Sequence, residues 1–306
     1  MPFKGQPKDL PPWVPVLGPG WDAGSDAIRT TLKRSKTARR IDPGRRLKLP
    51  WERVEFDTSD GAHLVGWYVP GSPERSRPAD MAMVLHHHYG GQKATVLPWI
   101  AWFHAQGWPC LAFDARGHAE SSDSPLGKGS FVARRADVHA ACEELRRRGA
   151  RRIVGFGQSQ GAAALVMAVA HRDDVIGVIL DSGPAPEMGT AAWGLAGNML
   201  GRTGRENPRW RGLLAARILP GTQPVRYLGA LWRALAALRD RPLLWLHGGR
   251  DDVIPLRWSR VWYAALKTVR WSAVHVPDAD HVRTLAVGGE PVERAVAAFL
   301  DGLEGG

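Results

Sequence analysis

An apolar, β-prone run in the middle of the chain leads into an alanine-rich helical segment through the five residues Gly-Gln-Ser-Gln-Gly at 157–161. A strand, then Gly-x-Ser-x-Gly, then a helix predicts a sharp turn that projects the serine hydroxyl away from the sheet edge. Small residues two positions either side of the serine let strand and helix pass close together at a strained backbone. The flanking elements carry the specificity, because the bare pattern arises easily in a chain with 35 glycines. Ser159 is therefore the first candidate for a chemical role.

Strand and helix patterns alternate from about residue 51 onward, which predicts a mostly parallel sheet covered by helices on both faces. The predicted strands are 54–58 and 63–69, joined as a hairpin by an Asp-Gly turn, then 81–88, 109–114, 152–157, 175–181, 243–247 and 272–276. The predicted helices are 94–106, 132–148, 159–171 and 291–303. Apolar residues in helix-like spacing, broken by glycines and prolines, fill 184–240. We interpret that segment as an inserted helical cap and residues 1–50 as a basic N-terminal extension.

Length and composition fit one large globular domain. The 306 residues are 44% hydrophobic, enough for the core of an α/β domain with an insertion. Cys110 and Cys142 lie in apolar or helical settings without metal-ligand spacing, so we expect buried free thiols. The N-terminus lacks the apolar stretch of a signal peptide, and no run approaches the roughly 20 apolar residues of a membrane span. These features predict a cytoplasmic protein without a membrane span.

The net charge of +11 is concentrated near the N-terminus, where residues 29–48 hold nine basic residues against the single acid Asp42. Such a basic segment can contact anionic lipid, nucleic acid or an acidic partner. It has no interleaved aromatic residues for base stacking and no nucleic-acid motif. We therefore expect a solvated arm and no specific nucleic-acid partner.

A serine nucleophile needs a base and an orienting acid, because its hydroxyl is a weak nucleophile until an imidazole accepts the proton. In strand-turn-helix serine sites the acid and then the histidine follow the serine, each after a later strand. Asp251 follows the strand 243–247 and a glycine turn, and His281 follows the strand 272–276. These residues are the candidate acid and base. Asp252 and Asp181 remain alternatives for the acid.

Acyl transfer also needs donors for the oxyanion of the tetrahedral intermediate. The backbone N–H of Gln160 directly follows the serine at a helix N-terminus, and the N–H of Tyr89 lies in the loop after the strand 81–88. Three consecutive histidines precede Tyr89, but neighbours on a strand alternate faces and cannot all bind one ion. We predict no metal, and no cofactor, because the triad supplies nucleophile, base and charge stabilisation.

Four motifs together indicate a family. They are His-His-Tyr-Gly-Gly at 87–91, Phe-Asp-Ala-Arg-Gly-His-Ala-Glu-Ser at 113–121, Gly-Gln-Ser-Gln-Gly at 157–161, and Gly-Gly-Arg-Asp-Asp-Val-Ile-Pro at 248–255 followed by His281. From residue 51 to the C-terminus the chain resembles the α/β-hydrolase superfamily, and within it the serine carboxylesterases. The resemblance implies the α/β-hydrolase fold, Ser159 as nucleophile, His281 as base, Asp251 as acid, and Tyr89 and Gln160 as oxyanion donors.

One departure from the family pattern lies in the oxyanion loop, where His88 stands in place of the usual glycine. A side chain at that position alters the path of the loop and weakens the assignment of Tyr89. The family also implies that Asp114 and Arg116 buttress the active-site side of the sheet and take no part in the chemistry.

The resemblance and the apolar cap lead us to expect a hydrolase of small-molecule carboxylic esters. Trp193, Trp210 and Trp232 are the candidate substrate-binding residues, with filling of the contact between cap and core as the other interpretation. Exposed aromatic surface on the cap would be consistent with a homodimer. Two further functions stay open: a serine peptidase of the prolyl-oligopeptidase or aminopeptidase type, and a non-catalytic hydrolase-like protein that binds a ligand.

Overall fold

The computed structural model describes residues 41–123, 132–185, 189, 192–194, 196–197, 200, 207–219, 224–238, 241–257, 259 and 270–305. Of the predicted N-terminal extension, residues 1–40 lie outside the described residues, as do parts of the predicted cap. The strands are β1 (Glu52–Asp57), β2 (His63–Val69), β3 (Met81–His86), β4 (Cys110–Phe113), β5 (Arg152–Gln158), β6 (Val175–Asp181), β7 (Leu243–Gly248) and β8 (Trp271–Val276). The helices are α1 (Pro43–Leu47), α2 (Leu97–Ala105), α3 (Arg135–Arg147), α4 (Gln160–Val169), α5 (Pro208–Ile218), α6 (Pro224–Leu238) and α7 (Thr284–Glu304).

The eight strands form one sheet in the order β1-β2-β4-β3-β5-β6-β7-β8. Only β2 runs antiparallel to its neighbours, β1 and β4, and the remaining pairs are parallel. The predicted hairpin is confirmed: Thr58 N donates to Ala62 O at 2.9 Å, and Gly61 closes the turn with φ of 85°. The mostly parallel sheet predicted from the alternation of elements is confirmed as well.

Helices cover both faces of the sheet, and strand residues alternate between the two cores. On β3, Val84 joins the core beneath α3, α4 and α6, whereas Met83 and Leu85 join the core beneath α2 and α7. Cys110 and Cys142 are free and buried, one in each core, as expected. Because parallel strands carry their loops at the same edge, the loops after β3, β5, β6, β7 and β8 meet at one end of the molecule.

The C-terminal helix of the predicted cap belongs to the main body of the fold. Helix α6 packs on α4, and its residues Leu231 and Leu235 lie in the same core as the strands. Tyr227 on α6 donates its hydroxyl to Ala185 O at 2.8 Å, just after β6. Helix α5 instead contributes Ala215 to a separate small apolar cluster. The segment 184–240, which the sequence indicates as one cap, therefore consists of two parts: α6 packs in the main core, and α5 packs in a separate cluster.

Two element boundaries differ from the prediction. Strand β3 ends at His86, so residues 87 and 88 lie in the following loop and the argument from alternating strand faces does not apply to them. The imidazole of His86 bonds to His87 O at 2.8 Å and ends the extended run there. The closing helical span Thr284–Glu304 is kinked at Gly289, where φ is 49° and ψ is −135°, so the predicted helix 291–303 is present and a short helical segment from Thr284 precedes it.

Candidate active site

Ser159 occupies the turn between β5 and α4 with a strained backbone, φ of 53° and ψ of −110°. Residues with side chains rarely adopt this positive φ, and such strain is concentrated at functional sites. Neither flanking glycine has room for a side chain. A Cβ on Gly157 would lie 2.7 Å from Ala162 N, and one on Gly161 would lie 2.4 Å from His86 O. The glycines thus let α4 approach β3 and β5 closely enough to form the turn.

The loops after β7 and β8 bring Asp251 and His281 to this serine. His281 Nε2 lies 2.9 Å from Ser159 Oγ, and His281 Nδ1 lies 2.8 Å from Asp251 Oδ2. The second carboxylate oxygen of Asp251 accepts hydrogen bonds from Val253 N at 3.0 Å and Ile254 N at 2.8 Å. All three side chains are buried. The three residues predicted as nucleophile, base and acid are therefore joined in one chain of hydrogen bonds.

The other two candidate acids hold different positions. Asp252 is exposed. Asp181 is fully buried at the end of β6, and its carboxylate accepts hydrogen bonds from Gln158 Nε2 and Thr284 Oγ1, both at 3.0 Å. Burial raises the pKa of Asp181 above its usual range, against the lowering effect of these donors. Among the described residues, Asp251 is the carboxylate hydrogen-bonded to His281.

Ser182 links Asp181 to the loop that carries His281. Its hydroxyl donates to Asp181 Oδ1 at 3.1 Å and accepts from Val282 N at 2.9 Å. Val282 holds a positive φ of 54°, so the hydrogen bond fixes a strained residue next to the histidine. Sequence reasoning missed Ser182 and Thr284, because no motif marks either one. The position of Ser182 directly after a strand, beside a candidate acid, was the available signal.

The charges around His281 favour its protonated form. Burial disfavours the imidazolium, but the Asp251 carboxylate, its hydrogen bond and the more distant charges of Asp181 and Asp252 outweigh burial. Together they raise the pKa of His281 above its ordinary value. An imidazole of raised basicity, hydrogen-bonded to a hydroxyl, is equipped to accept a proton from it.

The oxyanion loop lies against the start of α4, because Gly161 touches the carbonyls of His86 and His87. Tyr89 follows in a turn in which Gly91 N donates to His88 O at 3.0 Å. Tyr89 is partly buried and packs against the core, and burial raises its pKa. The side-chain amide of Gln160 is buried, and neither its nitrogen nor its oxygen has a hydrogen-bond partner in the described part of the chain.

The three histidines before Tyr89 are neutral structural groups. His87 Nδ1 lies 2.7 Å from His88 O, and its Nε2 accepts from Ala115 N at 3.0 Å, which fixes the tautomer. Burial, with a further effect of the charge on Arg134, lowers the pKa of His86 to about 3. Burial and the nearby charge of His281 lower the pKa of His88 to about 4. Across the ranges given above, no three side chains of His, Cys, Asp or Glu gather as metal ligands would.

Asp114 and Arg116, for which a structural role is predicted, both form buried ion pairs. Lys93 Nζ lies 2.5 Å from Asp114 Oδ2 and 2.6 Å from Glu120 Oε2. Arg116 Nε donates to Asp137 Oδ1 at 2.7 Å on α3. Buried charges are tolerated when they are paired in this way. The contacts agree with the structural role that the family resemblance implied for Asp114 and Arg116.

The three candidate substrate-binding tryptophans are all exposed: Trp193 by 42%, Trp210 by 58% and Trp232 by 38%. Trp193 packs against α5, since Arg211 stacks over its ring at 4.9 Å and donates to its carbonyl at 2.8 Å. The exposure of Trp210 shows that this ring does not fill a contact between cap and core. A role in substrate binding stays a prediction for each.

The described helices include none with the length and apolar character needed to cross a membrane.

Comparisons with known proteins place this geometry in context. A family model described as an alpha/beta hydrolase family matches residues 69–298. The uncharacterized protein YfhR of Salmonella typhimurium is 29% identical over 247 residues, covering 76% of this chain and 74% of YfhR. The alpha/beta hydrolase domain-containing protein WAV2 of Arabidopsis thaliana is 26% identical over 270 residues, covering 84% and 80%. The solved structure of the Pyrococcus furiosus esterase Pf2001 shares the fold, with a TM-score of 0.67 at 22% identity over 85% of this chain and 94% of that one.

Proposed function

The chain belongs to the alpha/beta hydrolase family, and from that premise we propose that it is a serine hydrolase that cleaves carboxylic esters through an acyl-serine intermediate. The observation that carries the proposal is the position of His281, 2.9 Å from Ser159 Oγ on one side and 2.8 Å from Asp251 Oδ2 on the other. This arrangement has the geometry in which an imidazole activates a serine while a carboxylate fixes its tautomer.

In the proposed acylation, Ser159 Oγ attacks the ester carbonyl as its proton passes to His281 Nε2. The bond between Oγ and the carbonyl carbon forms, and the carbonyl oxygen becomes an oxyanion. Asp251 stabilises the imidazolium without itself accepting the proton. His281 then gives the proton to the alkoxy oxygen as the carbon–oxygen bond to the alcohol breaks, which leaves the acyl group on Ser159.

Deacylation repeats the sequence with water. His281 Nε2 accepts a proton from water as the water oxygen attacks the acyl carbon, and then returns a proton to Ser159 Oγ as that bond breaks. The products are one carboxylic acid and the regenerated serine, so no other reactant is needed.

The proposed oxyanion donors are the backbone N–H groups of Gln160 and Tyr89. The N–H of Gln160 stands at the N-terminus of α4, where the helix dipole favours negative charge. The contact between Gly161 and the carbonyls of residues 86 and 87 supports placing the Tyr89 loop on the other side of the same oxygen. Loss of one such donor costs on the order of 100-fold in rate.

The proposal is tested with p-nitrophenyl esters from acetate to palmitate, assayed beside an aminoacyl and a prolyl p-nitroanilide, on the wild type and on Ser159→Ala. Ester turnover that disappears in the variant is the expected result. Activity confined to the anilides would assign the protein to the peptidases. Tight ligand binding without turnover on either panel would assign a non-catalytic role.

A further inference from the structure

Helix α5 turns apolar side chains toward solvent. Its inner face carries Ala215, which packs on Ala192 and Ala196. Its outer face carries Trp210 and Leu213, three residues apart and therefore on the same side of the helix. Leu213 is 64% exposed and Trp210 58%. Trp193 packs on a different side of α5, because its ring lies 3.6 Å from the position a Cβ would take on Gly212, about 160° around the helix from Trp210.

Two arginines flank these apolar groups. Arg209 and Arg217 are exposed at the two ends of α5, and neither forms an ion pair with any described residue. No acidic residue occurs in α5 or α6. The segment 184–240 holds eight arginines against three acidic residues. We call Trp210, Leu213, Arg209 and Arg217 the Trp–Arg surface.

Helix α5, which carries the Trp–Arg surface, lies beside the loop that holds Asp251. A Cβ on Gly194, next to Trp193, would lie 1.9 Å from Val253 O, so this segment rests on the loop that carries Asp251. Arg211 on α5 reaches the same loop, with Nη2 3.5 Å from Asp252 O. Helix α5 and the segment of Trp193 that packs on it therefore both contact the loop whose residue 253 donates a backbone hydrogen bond to Asp251.

We infer that the Trp–Arg surface docks on an anionic lipid bilayer and that the ester substrate is presented there. The second part rests on the proposed function, whereas docking itself does not. Tryptophan and leucine partition into the interfacial region of a bilayer, and arginines beside them are attracted to anionic headgroups. The exposed arginines and the large apolar side chains combine both attractions on one face of α5.

Charge also decides between lipid and a second copy of the chain as the occupant. A two-fold contact through this surface would bring Arg209 and Arg217 of one copy close to the same residues of the other, with no acid on α5 or α6 to neutralise them. The net charge of +11 adds repulsion between whole molecules. An anionic bilayer supplies the opposite charge and an apolar layer for the exposed rings.

Docking is tested by flotation of the full chain with vesicles of equimolar phosphatidylcholine and phosphatidylglycerol, beside vesicles of phosphatidylcholine alone. We expect binding to the anionic vesicles that weakens with added salt, because exposed charges are screened. The double variant Arg209→Glu, Arg217→Glu should weaken binding at least about tenfold. The matched control is Arg135→Glu, Arg151→Glu, which reverses two exposed arginines that, like Arg209 and Arg217, form no ion pair with a described residue, and it should leave binding unchanged. Both variants keep the basic N-terminal segment, so a loss confined to the first belongs to the surface.

The apolar part of the surface is tested with Leu213→Ser, whose high exposure makes misfolding a minor concern. We expect weaker flotation and slower hydrolysis of a long-chain ester embedded in the anionic vesicles, with unchanged hydrolysis of soluble p-nitrophenyl butyrate. Binding without any ester turnover in the wild type would refute the proposed function and leave docking intact. Equal flotation of wild type and both surface variants would overturn docking. A dimer in light scattering that Leu213→Ser dissociates would assign the surface to a second copy.

Discussion

Ser159 is hydrogen-bonded to His281, and His281 is hydrogen-bonded to Asp251. These three residues lie in three separate loops, and the sequence nominates each of them. Chain order is enough to nominate Asp251 and His281, because parallel strands bring their carboxyl-end loops to one edge. It left the acid open among three residues, since no pattern tells which of two adjacent carboxylates a turn aims inward. The hydrogen bonds of Asp251 Oδ1 to the N–H groups of residues 253 and 254 supply that information.

Replacing each carboxylate in turn should show that Asp251, and not its neighbour Asp252, is the catalytic acid. Asp251→Asn should lower kcat for ester hydrolysis on the order of 10⁴-fold, because the imidazole loses its tautomer and its stabilising charge. Asp252→Asn replaces an exposed carboxylate and serves as the matched control, with kcat expected to stay in the wild-type range. Steady-state kinetics on a soluble p-nitrophenyl ester measure both, and a larger loss in Asp252→Asn would contradict the assignment.

The pH dependence of kcat/KM should report the raised pKa of His281. The base must be neutral, so activity is expected to fall as pH drops through a value above about 6.5. Asp181→Asn removes a charge that favours the imidazolium and should move this acid limb to lower pH. Ser182→Ala removes a hydrogen bond to the loop that carries His281 but removes no charge. It should lower kcat and leave the acid limb of the pH profile at the same pH. Equal limbs in the wild type and Asp181→Asn would refute the electrostatic role of Asp181.

At the scale of elements, periodicity predicted the strands and helices of the main body, and the boundaries depended on contacts that periodicity does not report. Strand β3 ends at His86, whose imidazole lies 2.8 Å from His87 O, and a short helical segment precedes the predicted C-terminal helix and joins it at the kink at Gly289. Helix α6 was assigned to a cap because its apolar residues follow a break in the alternation. Only the structure shows that Leu231 and Leu235 face α4 and the sheet.

The strand-to-helix turn should not tolerate a methyl group at its second glycine. Gly161→Ala would place Cβ 2.4 Å from His86 O, so α4 or the oxyanion loop must shift. A displacement on the order of 1 Å costs about 100-fold in rate, and we expect kcat to fall by that order. Gly302→Ala is the control, because its Cβ meets nothing within 4 Å on an exposed part of α7. That change should stabilise the helix by up to about 1 kcal/mol in thermal unfolding without affecting kcat. Wild-type kcat in Gly161→Ala would contradict the account.

For the whole molecule, the buried histidines of the oxyanion loop should make stability depend on pH. His86 and His88 have folded pKa values of about 3 and about 4, below the unfolded value, so the unfolded chain binds more protons at mildly acid pH. Their contribution is present above about pH 6.5 and is lost as the pH falls toward the folded values. As the pH drops from 7 to 5, each of these two histidines should lower the free energy of unfolding by about 2 kcal/mol.

His281 and Asp181 act in the opposite direction, because their folded pKa values are raised. A comparison of variants isolates the histidine effect from theirs. His86→Asn removes one titrating group, and its amide can still donate to His87 O. In denaturant unfolding, the free energy of unfolding should fall between pH 7 and pH 5 in both proteins, and the fall should be smaller in the variant by about 2 kcal/mol. Equal falls in the two proteins would show that His86 is not held neutral.

The proposed mechanism requires a covalent acyl group on Ser159. The most direct measurement is rapid acid quench of the wild type mixed with a p-nitrophenyl ester, followed by mass spectrometry of the intact chain and its peptides. We predict one acyl group per chain, located on the peptide that contains Ser159, and no adduct in Ser159→Ala. Hydrolysis at the wild-type rate with no acyl adduct, or an adduct on another residue, would contradict the proposed mechanism.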